Sequence, residues 1–159
     1  MLDYFIGLIT SSIANPLIVS MLLGALPISE IRGAAIYVFS IGQPLLIIPA
    51  MISNIIVCPL ILLFWDLVKI PKIASLILGS SIEKKLLNFG KSYEKQGLLA
   101  LILFIGVPLP LTGVYTGTLL AELLGIKRKN ILVASILGVI LATAIMFLVL
   151  GGFSFLANY

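Results

Sequence analysis

The chain has 159 residues, of which 61% are apolar and only 10% carry a charge. Soluble domains carry about 25% charged residues. No soluble core could hide this much hydrocarbon, so we predict a single all-α integral membrane domain over residues 1–159. The sequence has no histidine and a single cysteine, Cys58, which excludes imidazole proton relays, an internal disulfide and His or Cys metal clusters. We therefore expect no metal and no cofactor.

The first fifteen residues are predicted to form an amphipathic helix at the membrane interface. Asp3, Thr10 and Ser11 fall on one side at helical spacing, and Pro16 separates this segment from the next apolar run. It is too short to cross a bilayer alone. The alternative is that residues 1–25 contain the first half of a kinked span.

Residues 17–41 are long and apolar enough to cross, yet Pro27, Glu30 and Arg32 lie in their middle. Each charge at the centre of a straight span costs about 3 kcal/mol. On a regular helix Glu30 and Arg32 would point to different sides, leaving one in lipid. A break near Pro27 lets both face protein. We therefore predict a re-entrant hairpin over 17–41, the first hairpin.

Two further segments are predicted to be transmembrane helices, over 44–66 and 130–157. Residues 44–65 and 131–157 are uncharged runs of 22 and 27 residues, and a bilayer core requires about 20. The second carries a stripe of small residues at spacing four, Ala134, Gly138 and Ala142, which suits close helix contact. That contact serves either a homodimer or packing inside one monomer.

Basic residues indicate how residues 98–124 are arranged. Six lysines lie in residues 69–97, and Lys127-Arg128-Lys129 comes after the apolar segment. Basic residues of short flanking loops face the cytoplasm. A single span over 98–124 would place the two basic groups on opposite sides, whereas a re-entrant hairpin places both on one side. We therefore predict that 98–124 is a second hairpin.

Ile82, Leu86, Phe89 and Tyr93 repeat at steps of four, three and four, so residues 69–97 are predicted to form an amphipathic segment. The charge argument places this segment and residues 127–129 at the cytoplasmic face of a multi-pass protein in the cell membrane. Glu122 is interpreted as an interfacial charge partner of Lys127-Arg128-Lys129.

The two halves of the chain resemble each other weakly. Each runs from a Pro-broken hairpin through a glycine turn to a spanning helix, and 15 positions separate Pro27 from Gly42 and Pro110 from Gly125. With one span between them, the hairpins would enter from opposite faces. We predict an inverted repeat, which transporters use to build a site at the membrane midplane.

Two motifs carry a resemblance to a known family. Leu26-Pro27-Ile28-Ser29-Glu30-Ile31-Arg32-Gly33, paired with Gly106-Val107-Pro108-Leu109-Pro110-Leu111-Thr112-Gly113-Val114-Tyr115-Thr116-Gly117, resembles the small multidrug export family, over nearly the whole chain. That family is considered a distant relative of the DedA/VTT membrane proteins. The resemblance implies paired re-entrant hairpins and movement of polyprenyl-phosphate or phospholipid between leaflets, with suspected proton coupling. Unlike the usual DedA pattern, the second hairpin here has no arginine.

Glu30 and Arg32 are the strongest candidates for function, because intramembrane charges are functional by default. The alternative is that they pair and merely fix the hairpin. Ser29 is predicted to cap the returning arm of the first hairpin, and Thr112 that of the second. Both arms would then aim helix N-termini at the membrane interior, which with Arg32 forms an anion site.

Glu30 would be the resident anion of this site. Burial favours its protonated form and Arg32 its ionised form, so that a substrate phosphate or carboxylate could displace it as it takes up a proton.

The remaining candidates have two readings each. Tyr115 and Thr116 offer hydroxyls that either line a polar path or satisfy the backbone of a broken helix, and Asn54 either bridges helices or contacts substrate. Glycines and prolines are assigned to the hairpin turns and their close packing: Pro27, Gly33, Pro108, Pro110, Gly113 and Gly117.

The predicted function is transport of an anionic amphiphile between leaflets, with proton or sodium coupling as an option. The alternatives are an ion-coupled exporter of small amphipathic drugs and an assembly factor without a substrate. An enzyme is disfavoured, because only Glu30 could serve as a general base. The expected partners are membrane lipids, the anionic or amphipathic substrate and, if the small-residue stripe serves a homodimer, a second copy of the chain; no nucleic acid is expected.

Overall fold

The computed structural model describes residues 15–67, 94–109 and 112–157 of the chain. These ranges form six α-helices and one short 3₁₀ helix, and no strand occurs within them, which confirms the all-α prediction. The helices are α1 (Pro16–Ala25), α2 (Glu30–Ser40), the 3₁₀ helix (Pro44–Leu46), α3 (Ile47–Leu67), α4 (Glu94–Gly106), α5 (Val114–Leu123) and α6 (Arg128–Ala157). The predicted interfacial helix, except for residue 15, and most of the predicted cytoplasmic segment lie outside the described residues.

The first two helices form a hairpin whose arms are too short to cross a bilayer. Asn15 begins α1 as its N-cap, accepting a hydrogen bond from the Leu17 N–H at 2.9 Å, and Pro16 occupies the first turn, where no N–H is needed. Residues 26–29 then break the helix before α2 starts at Glu30. At 1.5 Å per residue each arm is only about 15 Å long, against a hydrocarbon core of about 30 Å.

Two helices are long and apolar enough to cross a membrane, as predicted. The candidate spans are Pro44–Trp65 and Arg128–Phe153, and only 39% of each window is buried within the protein. The rest of both surfaces presents large apolar side chains outward, including Ile48, Ile56 and Leu137. A soluble protein would bury most of such helices, so these faces suit contact with lipid.

The two long helices run antiparallel. Ile47 and Ala50, early in α3, share one core cluster with Ala142, late in α6. Cys58 and Leu62, late in α3, share the other cluster with Ile131, early in α6. Each cluster also contains one of the two hairpins, so the core has two halves that meet near the middle of the long helices.

The second hairpin is formed by α4 and α5, joined through residues 107–113, of which 110 and 111 lie outside the described part of the chain. Glycines bring its two arms close to each other and bring α4 close to α6. A Cβ at Gly138 of α6 or at Gly117 of α5 would lie within 2.7 Å of the Ile105 side chain of α4. The small-residue stripe is therefore internal, with Ala134 and Ala142 buried, which supports packing within one monomer as its role.

Both hairpin turns lie level with the middles of the long helices. Near the end of α1, the Gly24 carbonyl accepts a hydrogen bond from Asn54 at 2.6 Å, and Asn54 is central in the Pro44–Trp65 span. At the end of α4, a Cβ on Gly106 would lie 2.6 Å from the side chain of Leu141, which is central in the Arg128–Phe153 span.

The opposite ends of the hairpins lie beside different termini of the long helices. Phe39, near the end of α2, makes an edge contact with Phe147, late in α6. Gly97, early in α4, faces Ile126, just before α6. The first hairpin thus opens beside the end of α6, and the second beside its beginning.

Candidate functional site

The turns of the two hairpins meet around an ion pair between Glu30 and Arg32. Arg32 Nη2 lies 3.2 Å from Glu30 Oε2, and the side chains of Glu30 and Arg32 are 5% and 22% exposed. Both residues belong to the first turn of α2, as predicted. The guanidinium is therefore the more exposed member of the pair.

Arg32 joins the first hairpin to the interrupted backbone of the second. Its Nη1 donates to the Leu109 carbonyl, and its Nη2 donates to the Thr112 carbonyl at 2.8 Å. These carbonyls lie where the helix is broken. The Leu109 carbonyl also accepts from the Thr112 N–H at 3.2 Å and from the Thr112 hydroxyl at 2.8 Å. A planar guanidinium spreads its donors over three nitrogens in a fixed geometry, whereas the donors of a lysine ammonium all sit on one nitrogen. Arg32 thus has a structural role here, whatever else it does.

Glu30 is held at the N-terminus of α5. Its Oε1 accepts a hydrogen bond from the Tyr115 N–H at 3.4 Å. A helix N-terminus carries roughly half a positive charge, so the carboxylate is balanced from one side by Arg32 and from the other by the helix end. The Glu30 carboxylate thus lies between a guanidinium and the N–H groups of a helix end.

The backbone at this junction is unusual on both sides. Glu30 has a φ of +47°, and it is the one non-glycine residue with positive φ in the described part of the chain. Such a conformation costs of the order of 1–3 kcal/mol and persists only where the surroundings enforce it. Opposite lies Gly113, with φ +130° and ψ −170°, where a Cβ would overlap the Glu30 carboxylate. The carboxylate therefore occupies space that only a glycine leaves free.

The predicted capping hydrogen bonds of Ser29 and Thr112 are both wrong. Ser29 precedes α2, but its side chain makes no capping bond and instead donates to the Leu23 carbonyl, tying the turn back to α1. Gly113, not Thr112, is the N-cap of α5. The Thr112 hydroxyl accepts from the Leu109 N–H at 3.2 Å and donates to the Val107 carbonyl at 2.7 Å. Both hydroxyls serve freed groups of the broken turns, leaving the α5 N-terminus open for Glu30.

The other predicted hydroxyls also serve the broken backbone. The Tyr115 hydroxyl donates to the Ala25 carbonyl at the end of α1, which adds a further link between the two hairpins. The Thr116 hydroxyl is 3.5 Å from the Gly113 carbonyl, one turn back in its own helix. Asn54 bridges α3 to α1 through its amide nitrogen, and its Oδ1 is buried without a partner in the described residues.

Of the glycines and prolines that were predicted to form the hairpin turns, some lie in the turns and others lie inside helices. Pro27 and Pro108 lie in the two breaks, while Pro110 lies outside the described residues. Gly33 and Gly117 lie inside α2 and α5 rather than in the turns. Gly117 allows close contact with Ile105 of α4. Glu122 pairs with Arg128 at 2.8 Å, away from the junction, as its interpretation as a charge partner requires.

Sequence reasoning missed two buried hydroxyls, Thr118 on α5 and Ser135 on α6. Both are fully buried, and neither has a hydrogen-bond partner within the residues that the structure describes. Most buried polar groups are paired, and Thr143 shows the usual solution, donating to the Val139 carbonyl of its own helix at 2.7 Å. Thr118 could have been identified from the sequence, because it lies three positions after Tyr115 and therefore on the same helix face.

The comparisons with known proteins bear on the identity of the chain. A family model described as "Putative small multi-drug export protein" matches residues 24–145. None of the curated proteins and none of the solved structures compared with the chain matches it. The matched range contains the whole junction, from the end of α1 to the middle of α6. The chain therefore belongs to this small multi-drug export family.

Proposed function

We propose that the chain is a membrane transporter that moves an anionic amphiphile through the junction of its hairpins. The family description supports export across a membrane. A lipid-phosphate substrate, such as a polyprenyl-phosphate or a phospholipid, rests on the resemblance to DedA proteins and on the chemistry of the junction. Binding or release of a proton by Glu30 would couple this movement to a proton gradient, with sodium as the alternative ion.

We further propose that both hairpins are re-entrant and form an inverted repeat. Three features support this architecture. The arms are too short to span, both turns lie level with the middles of α3 and α6, and the hairpins open beside opposite termini of α6. Irregular backbone at this depth is tolerated only inside protein or beside a cavity, and the contacts between the two turns meet that condition.

One observation carries the functional proposal: a carboxylate of the protein fills an anion site at the meeting point of the hairpins. Glu30 is balanced by Arg32 and by the α5 N-terminus, at 5% exposure. A phosphate or carboxylate of a substrate would find the same donors. When it takes them, Glu30 loses its partners in a low-dielectric site and takes up a proton. For a singly charged headgroup the junction then holds one negative charge before and after the exchange, so no unpaired charge is created in the membrane.

This exchange predicts the sign of the pH dependence. Protons favour the displaced, neutral form of Glu30, so acidification on the side from which substrate enters should promote substrate binding. Deprotonation on the other side returns the carboxylate to Arg32 and expels the substrate. A gradient that is acidic on the entry side therefore drives transport from that side.

The alternative function is ion-coupled export of small amphipathic drugs, which the description of the family favours directly. For a cationic drug Glu30 itself would be the binding partner. An assembly factor without a substrate would need the ion pair only to fix the hairpins, and the bonds from Arg32 to the second hairpin would serve that purpose. Catalysis is the least supported reading, because Glu30 would have to act alone.

The test uses purified protein in liposomes, with leaflet exchange of labelled polyprenyl-phosphate and phospholipid measured with and without a pH gradient. Glu30→Gln should abolish the pH dependence, and Arg32→Gln should abolish exchange. Matched controls come from the peripheral pair: Glu122→Gln and Arg128→Gln remove the same charges from a pair in which Arg128 is 45% exposed, and should change little.

The outcomes separate the candidate functions. Pumping of a cationic drug that requires Glu30 but not Arg32, without lipid exchange, supports the drug exporter. Absence of any transport by folded wild-type protein supports the assembly factor. Unchanged exchange and pH dependence in Glu30→Gln refutes coupling through this carboxylate.

A further inference from the structure

A groove between α3 and α5 leads away from the hairpin junction. Its volume is about 340 Å³, and it is lined from α3 by side chains between Val57 and Trp65 and from α5 by Tyr115 and Leu119. None of the lining side chains carries a charge. Leu60 and Phe64 are more than half exposed along its edge. The groove thus lies open on the outer surface of a predicted spanning helix.

One end of the groove meets the anion site. Tyr115 forms part of the groove wall, while its backbone N–H donates to Glu30 and its hydroxyl donates to the Ala25 carbonyl. The same residue therefore borders an apolar channel and the charged junction. The other end lies at Trp65, near the end of α3, where an indole suits the membrane interface.

The groove is apolar along its length and meets charged groups at one end. It therefore complements an amphiphile that has a hydrocarbon chain and an anionic headgroup. A hydrocarbon chain requires a wall without charged or unpaired polar groups, and its anionic headgroup requires the donors at Arg32. A compact hydrophilic anion would leave the groove empty, and an uncharged chain would leave the junction unchanged.

We propose that the α3–α5 groove holds the hydrocarbon chain of the transported amphiphile while its anionic headgroup displaces Glu30 at Arg32. The inference deepens the proposed function and rests on it for the headgroup. It assigns chain-length selectivity to Leu60 and Leu119, which face the groove from opposite helices. The junction would then select the charge of the substrate, and the groove its tail.

The groove can be tested without transport, because Trp65 is the single tryptophan of the chain and lies in its wall. Wild-type protein in non-ionic micelles is titrated with a long-chain alkyl phosphate that carries bromine on its chain. Binding in the groove should quench Trp65 fluorescence. The groove-filling variant Leu60→Phe/Leu119→Phe should weaken this quenching about tenfold in apparent affinity, the size expected for overpacking. The control Leu63→Phe adds the same ring to an exposed α3 position outside the groove and should behave as wild type.

Two comparisons connect the tail to the headgroup. Arg32→Gln should weaken quenching by the brominated phosphate but not by an uncharged brominated alcohol of equal chain length. In liposomes, the filled groove should slow transport of a long-chain phosphate and leave that of a short-chain phosphate unchanged.

Equal quenching of wild type and filled variant, or equal slowing of both chain lengths, overturns the groove assignment. Equal effects of Arg32→Gln on the charged and uncharged chains overturn the link between groove and junction. The micelle titration does not depend on transport, so quenching that is sensitive to the filled groove supports the groove even where liposomes show no transport and the proposed function fails.

Discussion

Gly113→Ala tests whether the Glu30 carboxylate depends on the missing side chain of the second hairpin. The structure implies two costs. The backbone of Gly113, at φ +130° and ψ −170°, lies in a region that is essentially restricted to glycine, at a cost of about 1–3 kcal/mol for alanine. Its new methyl would also overlap the Glu30 carboxylate, and overpacking of this kind costs about 1–3 kcal/mol. The expected loss of stability is therefore about 2–6 kcal/mol.

Gly42→Ala is the matched control. Gly42 also has a positive φ, +69°, but no atom lies within 4 Å of the position of its Cβ. Alanine there should lose about 1–2 kcal/mol from backbone strain alone. Glu30→Ala supplies the second control, because removal of the carboxylate removes the overlap and leaves the strain at Gly113.

The assay is chemical unfolding in mixed micelles, monitored by helical circular dichroism, for wild type, the single variants and the Glu30→Ala/Gly113→Ala double variant. If the overlap exists, the double variant should lose less stability than the two single variants lose together. The difference, which is the coupling free energy, should be about 1–3 kcal/mol. Losses that add within about 0.5 kcal/mol would refute the claim that the carboxylate occupies the space beside Gly113.

Three further predictions concern the connections around the junction. Asn54→Ala leaves the buried Gly24 carbonyl without its side-chain donor and should lower the free energy of unfolding by about 1–3 kcal/mol, measured by the same unfolding assay; a loss below about 0.5 kcal/mol would contradict that role. Arg32→Lys keeps the charge but replaces the two donor nitrogens that contact Glu30 and the two carbonyls by a single one. Its transport should therefore fall nearly as far as that of Arg32→Gln, while Arg128→Lys transports normally. Full activity of Arg32→Lys would show that charge alone suffices. For the topology, single cysteines are placed at Gln43, Gly97 and Lys129 in a Cys58→Ala background and labelled with a membrane-impermeant reagent. Positions 97 and 129 should be labelled from one side of the membrane and position 43 from the other. Labelling of positions 97 and 129 from opposite sides would contradict a re-entrant second hairpin.

The sequence was sufficient to predict the features that depend on composition and local pattern. Uncharged runs of 22 and 27 residues identified the two candidate spans. Pro27, with two charges just after it, located the break in the first hairpin, because a straight span cannot carry such residues cheaply. The pairing of Glu30 with Arg32, which is one of the two sequence-based interpretations of these charges, is present in the structure.

The contacts between the hairpins could not be predicted, because they join residues about 80 positions apart. Arg32 binds carbonyls at Leu109 and Thr112, and Glu30 accepts from the N–H of Tyr115. Nearly every residue has the same backbone carbonyl and N–H group, so the residue types do not show which of these groups make the contacts. Local propensity also misled: Ser29 and Thr112 were assigned as caps because hydroxyls favour that position, whereas the glycine at 113 leaves space for a carboxylate from the other hairpin.

Proton uptake on anion binding tests the exchange at the junction most directly. Purified protein in weakly buffered, non-ionic micelles is mixed with an alkyl sulfonate, whose own charge does not change near neutral pH, and a pH indicator reports proton uptake. Wild type and Glu122→Gln should take up protons in proportion to the anion bound, while Glu30→Gln should bind the anion without any uptake. Binding without proton uptake by wild type, or equal uptake by Glu30→Gln, would contradict the claim that the substrate anion replaces Glu30.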